Sequence, residues 1–126
     1  VLKLPNLTFL VILILLILST EQRLNAADST GVHRAILRCL QLNKERNNAL
    51  INEAKALLAI AKAYPKTEAA VRIYTLAGRG FLNKGQIDSC PHYFKLGFQN
   101  LSKAVSADAK GHLYLSSGDS DYMHYQ

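Results

Sequence analysis

From Thr30 onward the apolar residues recur at steps of three and four, and no stretch alternates as a half-buried strand would. This periodicity restricts the chain to an all-α fold. Val32, Ala35, Ile36, Cys39 and Leu40 form one amphipathic stripe, which predicts a helix over Thr30–Leu42 with Arg34, Arg38 and Gln41 on the opposite side. The polar stretch from Asn43 to Asn48 reads as a turn. Leu50, Ile51, Ala54, Leu57, Leu58, Ala61 and Tyr64 then predict a second helix, rich in the strong helix formers Ala and Leu. Pro65 ends it, because the residue before proline is pushed out of helical geometry.

Thr67 has the chemistry of an N-cap, with Glu68 placed to favour the positive end of a helix running to Ala77. Gly78 and Gly80 are expected to stop that helix, leaving Phe81–Gly85 as a connector. A long helix is expected from Ile87 to Ala109, with Ile87, Cys90, Phe94, Phe98, Leu101 and Val105 on one face. Pro91 fits within its first turn if Asp88 or Ser89 is the cap, and Gly111 closes it. In His112–Gln126, Leu113, Leu115, Tyr122, Met123 and Tyr125 could line a further helix, but Ser116-Ser117-Gly118-Asp119 has the composition of a turn.

The start of the chain is of another kind. Ten consecutive apolar residues, Phe9 to Leu18, follow Lys3, and Glu21, Gln22, Arg23 and Asn25 come directly after them. A bilayer span needs about 20 apolar residues. The shorter run, with a cation before it and Ala26 and Ala27 after it, is that of a secretory signal peptide. Residues 1–27 are therefore expected to leave, with the mature protein secreted and keeping no membrane anchor. Residues 28–126 then form one small domain of 99 residues. Lys3, Arg23 and Glu21 leave with the leader, so the remainder has 13 basic and 8 acidic residues. These charges are scattered, as on a solvated helical surface, with no Arg/Lys stripe interleaved with aromatics, which argues against nucleic acid as a partner.

Little in the chain has the spacing that chemistry requires. Cys90 lies two positions from His92, and such neighbours do not face each other on a helix. His33, His112 and His124 stand apart from it, and Asp119 and Asp121 lack the further ligands of a calcium loop. Zinc-type cysteine spacing, phosphate-cradling glycine loops, Gly-x-Ser-x-Gly and His-Glu-x-x-His are all missing from the sequence. The expectation is a protein that is not an enzyme and holds no metal or cofactor. Cys39 and Cys90 leave two possibilities: a single bridge between them, or two thiols without partners. Asn100-Leu101-Ser102 satisfies the N-glycosylation rule, with Asn100 expected on the exposed side of the long helix.

Two stretches carry a resemblance to the plant invertase and pectin methylesterase inhibitor family. In the first, Cys39-Leu-Gln-Leu is followed by Leu57-Leu58-Ala59-Ile60-Ala61-Lys62-Ala63 and Thr67. The second is Asp88-Ser89-Cys90-Pro91-His92-Tyr93-Phe94 with Leu101 and Ala104, similar to the family's Asp-Cys-x-x-x-Tyr helix. The resemblance implies an up-and-down bundle of the four-helix type after an N-terminal helical segment. It also implies an apoplastic, non-catalytic inhibitor that docks on a cell-wall carbohydrate enzyme.

Members of that family use four cysteines in two bridges. Cys39 resembles the second, and Thr30 stands where its partner is expected; Cys90 resembles the third, whose partner would fall beyond Gln126. The resemblance thus implies a chain incomplete at its C-terminus and short of its staples, at a cost of about 2–5 kcal/mol for each missing bridge. The invertase-directed Pro-Lys-Phe tripeptide has no counterpart, since Pro65-Lys66 is followed by Thr67 and Pro91 by His92-Tyr93. That points to pectin methylesterase as the target. Acid invertase is the alternative, and a basic helical module bound to anionic cell-wall polysaccharide is another.

Overall fold

The computed structural model describes residues 8–15 and 30–126. Residues 8–15 are helical and solvent-exposed, and the expected leader cleavage region lies outside the described residues. No helix among the described residues is long and apolar enough to cross a membrane. From Thr30 on the chain is helical without strands: α1 (Thr30–Lys44), α2 (Ala49–Ala56), α3 (Leu58–Ala63), α4 (Glu68–Asn83), a 3-10 turn (Ile87–Ser89), α5 (Cys90–Gln99) and α6 (Ala107–His124).

Helix α4 is the axis of the fold, and each of the other helices from Thr30 on packs on it. Ten of its sixteen residues are buried, so it is apolar nearly all round. Ala69, Ala70, Ile73, Leu76 and Ala77 join Val32, Ile36, Cys39 and Leu42 of α1, Leu50 and Ala54 of α2, and Ala61 of α3 in one cluster. Val71, on another face, joins Cys90 and Phe94 of α5 and Ala109 and Leu113 of α6 in a second. Thr75 is fully buried between these layers and satisfies its hydroxyl by donating to the Val71 carbonyl at 2.8 Å.

Helix α1 and the turn after it match expectation. The second helix is broken at Leu57, where α2 gives way to α3 through a tight turn, Leu57 N–H donating to Ala54 O and Ala61 N–H to Leu57 O. Thr67 is the N-cap: its hydroxyl accepts from Ala70 N–H at 3.2 Å and donates to Tyr64 O at 2.8 Å.

The glycines overturn the expected end of α4. Gly78 and Gly80 lie inside the helix at close contacts, where a Cβ on Gly78 would sit 2.3 Å from the Phe94 ring and one on Gly80 would sit 2.9 Å from Ile51. They are there because α5 and α2 approach the backbone, and the turn falls at Gly85 instead, with φ +76°.

The expected Ile87–Ala109 helix is two helices. Its interruption is held by Asn100, which is buried and not exposed. Asn100 Nδ2 donates to Leu96 O, and Asn100 Oδ1 accepts the Lys66 backbone N–H, both at 2.8 Å. Ser102 Oγ donates to Lys66 O at 2.8 Å, and Lys66 Nζ reaches Gln99 O. The two turns are thereby tied together, with Lys66 in the left-handed region at φ +64°. Ser106 then caps α6, accepting from Ala109 N–H. Gly111 does not close a helix, and Ser116–Asp119 does not break one: both lie within α6. The buried side of α6 is Ala109, Leu113, Ser116 and Ser120, a stripe at helical spacing made of small residues and one leucine.

Candidate functional site

Helices α1 and α6 flank α4 on one side, and the surface between them is a groove. Its α1 edge carries His33, Leu37, Leu40 and Lys44, and its α6 edge carries Asp108, His112 and Leu115. Arg72 of α4 forms the floor in a recess of about 340 Å³. Toward the far end Arg46, Arg79, Asp119, Tyr122 and Met123 line a continuation.

The floor is polar and internally paired. Arg72 and Arg79 are seven positions apart on α4, hence on one face, and both are mostly shielded from solvent. Arg72 Nη2 meets Asp108 Oδ2 at 3.1 Å, and its Nε lies 3.6 Å from Glu68 Oε2. Arg79 Nη1 meets Asp119 Oδ2 at 2.6 Å, and its Nε donates to Asn43 Oδ1 at 3.5 Å. Asn83 Nδ2 donates to the same Asn43 oxygen at 2.9 Å. These bonds stitch α1, α4 and α6 together beneath the groove. Glu68 Oε1 accepts the Ser106 backbone N–H at 2.9 Å; hydrogen bonding to the Ser106 side chain above all, with that backbone bond and Arg72 adding to it, holds its carboxyl below the usual range. Burial, with Arg79 and Arg72 adding to it, pushes the His112 imidazole down, so it is neutral near pH 7.

The groove offers contact surface, with leucines between charged ends. Among the described residues no three His, Cys, Asp or Glu side chains converge as a metal site. Cys90 is fully buried in the α4–α5–α6 cluster and donates to Gln86 O at 3.5 Å, while His92 is exposed and set edge-on to Tyr93. The structure does not bring them together as a nucleophile and base. Asp119 is engaged by Arg79, and Asp121 is exposed on α6. His124 approaches Asp88 at 3.9 Å on the surface.

Both cysteines are free and buried, Cys39 against α1–α4 and Cys90 in the other cluster. Of the two readings open in the sequence, a Cys39–Cys90 bridge and unpaired thiols, the structure has the second. Burial pushes the Cys39 thiol up to about 11, and burial raises Cys90 as well. Neither is poised for thiolate chemistry. Asn100, the acceptor of the sequon, has its amide nitrogen committed to Leu96 O inside the fold. A glycan on that nitrogen would leave one N–H for this bond but would have to emerge from a side chain that is buried in the turn.

Sequence reasoning missed Arg72 and Arg79 as groove residues. Their spacing on the most apolar helix was the available signal, since a cation on a buried helix requires a partner. No family model, curated protein or solved structure matches the chain.

Proposed function

We propose that the protein is a secreted, non-catalytic inhibitor that docks on a cell-wall carbohydrate enzyme, pectin methylesterase, with residues 28–126 as the working domain. The reading takes the helices as a variant of the four-helix bundle, with α1, the α2–α3 pair, α4 and α5 as its staves. The observation that carries it is the open α1–α6 groove: an apolar strip of Leu37, Leu40 and Leu115 over an ion-paired floor. Such a face is suited to holding a protein edge, because side chains already fixed by pairing lose little entropy on docking. The likeness of the Cys39–Ile73 and Ile87–Gly111 stretches to that inhibitor family supplies the class of target.

The test is a titration of pectin methylesterase with the purified chain. The proposal expects demethylation to fall in a saturable, stoichiometric way. Untouched activity at a large excess of folded protein removes it.

A second reading is favoured by the excess of 15 basic over 9 acidic residues. In it the protein binds anionic pectate by long-range attraction, with no enzyme as its target. Retention on polygalacturonate that salt abolishes, with methylesterase unaffected, would select this reading.

A further inference from the structure

The large apolar side chains that the folded part leaves in water are concentrated on one helix. Between Thr30 and Gln126, Tyr114, Leu115, Tyr122, Met123 and Tyr125 lie on or just past α6, and Leu37 is the one elsewhere among the described residues. Tyr114 is 58% exposed but has a partner within the chain, an edge-on contact with Phe98 with ring centroids 5.0 Å apart. Leu115 and Tyr122 are about two-thirds exposed, at 65% and 66%.

These two residues belong to a regular row. Gly111, Leu115, Gly118 and Tyr122 follow one another at steps of four, three and four, so they share the side of α6 turned away from Leu113 and Ser116. The glycines in this row have no explanation within the chain. A Cβ at Gly111 or Gly118 would meet nothing within 4 Å, in contrast to Gly78, Gly80 and Gly97, each pressed by a neighbouring helix. Neither has a positive φ. Glycine inside a helix costs stability, so two of them facing open solvent call for something that comes close from outside.

The row is complementary to itself. When two α6 helices lie antiparallel about a twofold axis at the level of Ser116–Ser117, each large residue faces a gap. Leu115 meets Gly118 of the second copy, and Tyr122 meets its Gly111. The twofold repeats both contacts, giving the same-patch-to-same-patch interface of a symmetric dimer. The absent Cβ atoms let the helices approach toward the close end of the 8–10 Å range for packed helices. We propose that the occupant of this face is a second copy of the chain, paired through α6 in the register Leu115 against Gly118. An eighteen-residue helix is about 27 Å long. A single helix pair falls below the ~1,200 Å² of standard stable interfaces, so the dimer forms in the micromolar range or above. The pairing does not rest on the inhibitor reading, but it shares Gly111, Leu115 and Tyr122 with the α6 edge of the groove, so pairing of two copies and docking of an enzyme would compete for that edge.

The test is sedimentation equilibrium of the full chain from low to high micromolar concentration, with three variants. The wild type rises from 13.9 kDa toward twice that mass. Gly118→Leu, which fills the gap without touching the fold, weakens association at least tenfold while circular dichroism and the thermal midpoint hold or improve. The double variant Leu115→Gly/Gly118→Leu exchanges knob and gap and restores the dimer. Leu13→Asp, in the exposed apolar run at the start of the chain, leaves association unchanged. A wild type that stays monomeric overturns the proposal. So does association that Gly118→Leu leaves intact or that Leu13→Asp abolishes, because another surface then carries it. A double variant that stays monomeric overturns the stated register.

Discussion

Replacing Gly78 with alanine tests the closest helix contact in the protein. The added Cβ would lie 2.3 Å from Phe94 Cε1 and 2.7 Å from its Cζ, distances no carbon pair tolerates. Phe94 is 2% exposed and packed among Val71, Cys90 and Leu113, so its ring has nowhere to swing without moving α5. Overpacking of this kind costs about 1–3 kcal/mol. Against it stands the gain of about 1 kcal/mol from alanine over glycine in a helix interior. The net is a destabilisation of about 0–2 kcal/mol. For a domain of this size, that lowers Tm by up to roughly 15 °C. Gly111→Ala is the internal control, since its Cβ meets nothing within 4 Å and only the propensity gain remains. It should raise Tm by about 4–8 °C. The assay is thermal and urea denaturation followed by helical circular dichroism at protein concentrations low enough to exclude association. If Gly78→Ala stabilised the protein as much as Gly111→Ala, the close approach of α4 and α5 would be wrong.

Other substitutions probe the remaining polar contacts. Ser116 has a buried hydroxyl with no hydrogen-bond partner, so Ser116→Ala should stabilise by about 1 kcal/mol in urea unfolding, as removal of an unsatisfied group does. Asn100→Ala strands the Lys66 N–H and loosens both turns, a loss of about 1–3 kcal/mol, and protein expressed in a glycosylating host should show no mass shift on deglycosylation. Acid should weaken the fold in two windows. His112 has a folded pKa below its unfolded value, so its contribution is present above about pH 6.5 and is lost as pH falls through the folded pKa. Glu68 is likewise depressed, and its contribution is lost below about pH 4.5. His112→Gln should flatten the first window only, as read from urea midpoints across pH. Native thiols should react slowly with an aromatic disulfide reagent and completely in denaturant; an absent thiol signal in denaturant would restore the disulfide reading.

Much of the architecture was legible because periodicity reports which side of a helix is buried. Val32, Ile36 and Cys39 face the core as their spacing requires, and Thr67 caps as its chemistry requires. What the sequence hid depended on contacts between distant residues. Gly78 and Gly80 have the local appearance of terminators, and only Phe94 and Ile51 packed against them explain why the helix runs on. Asn100 sits in an apolar pattern that continues through Val105, so the break appears only when Lys66, thirty-four residues earlier, is brought to its side-chain oxygen. In α6 the buried stripe is Ala109, Leu113, Ser116 and Ser120, which reads as polar, while Leu115 and Tyr122 point outward. Of the residues that hydrophobicity picked out there, Leu113 faces the core and Leu115, Tyr122, Met123 and Tyr125 do not. The groove was invisible for the same reason, since α1 and α6 are joined only through α4.

The most direct measurement is the inhibition curve of pectin methylesterase for the wild type beside Leu37→Asp, which alters the exposed α1 edge of the groove and no core contact. Saturating inhibition by the wild type, weakened at least tenfold in a variant with unchanged helical dichroism, is the predicted result. Full methylesterase activity in a large excess of folded wild type, or equal inhibition by both proteins, contradicts docking through this groove.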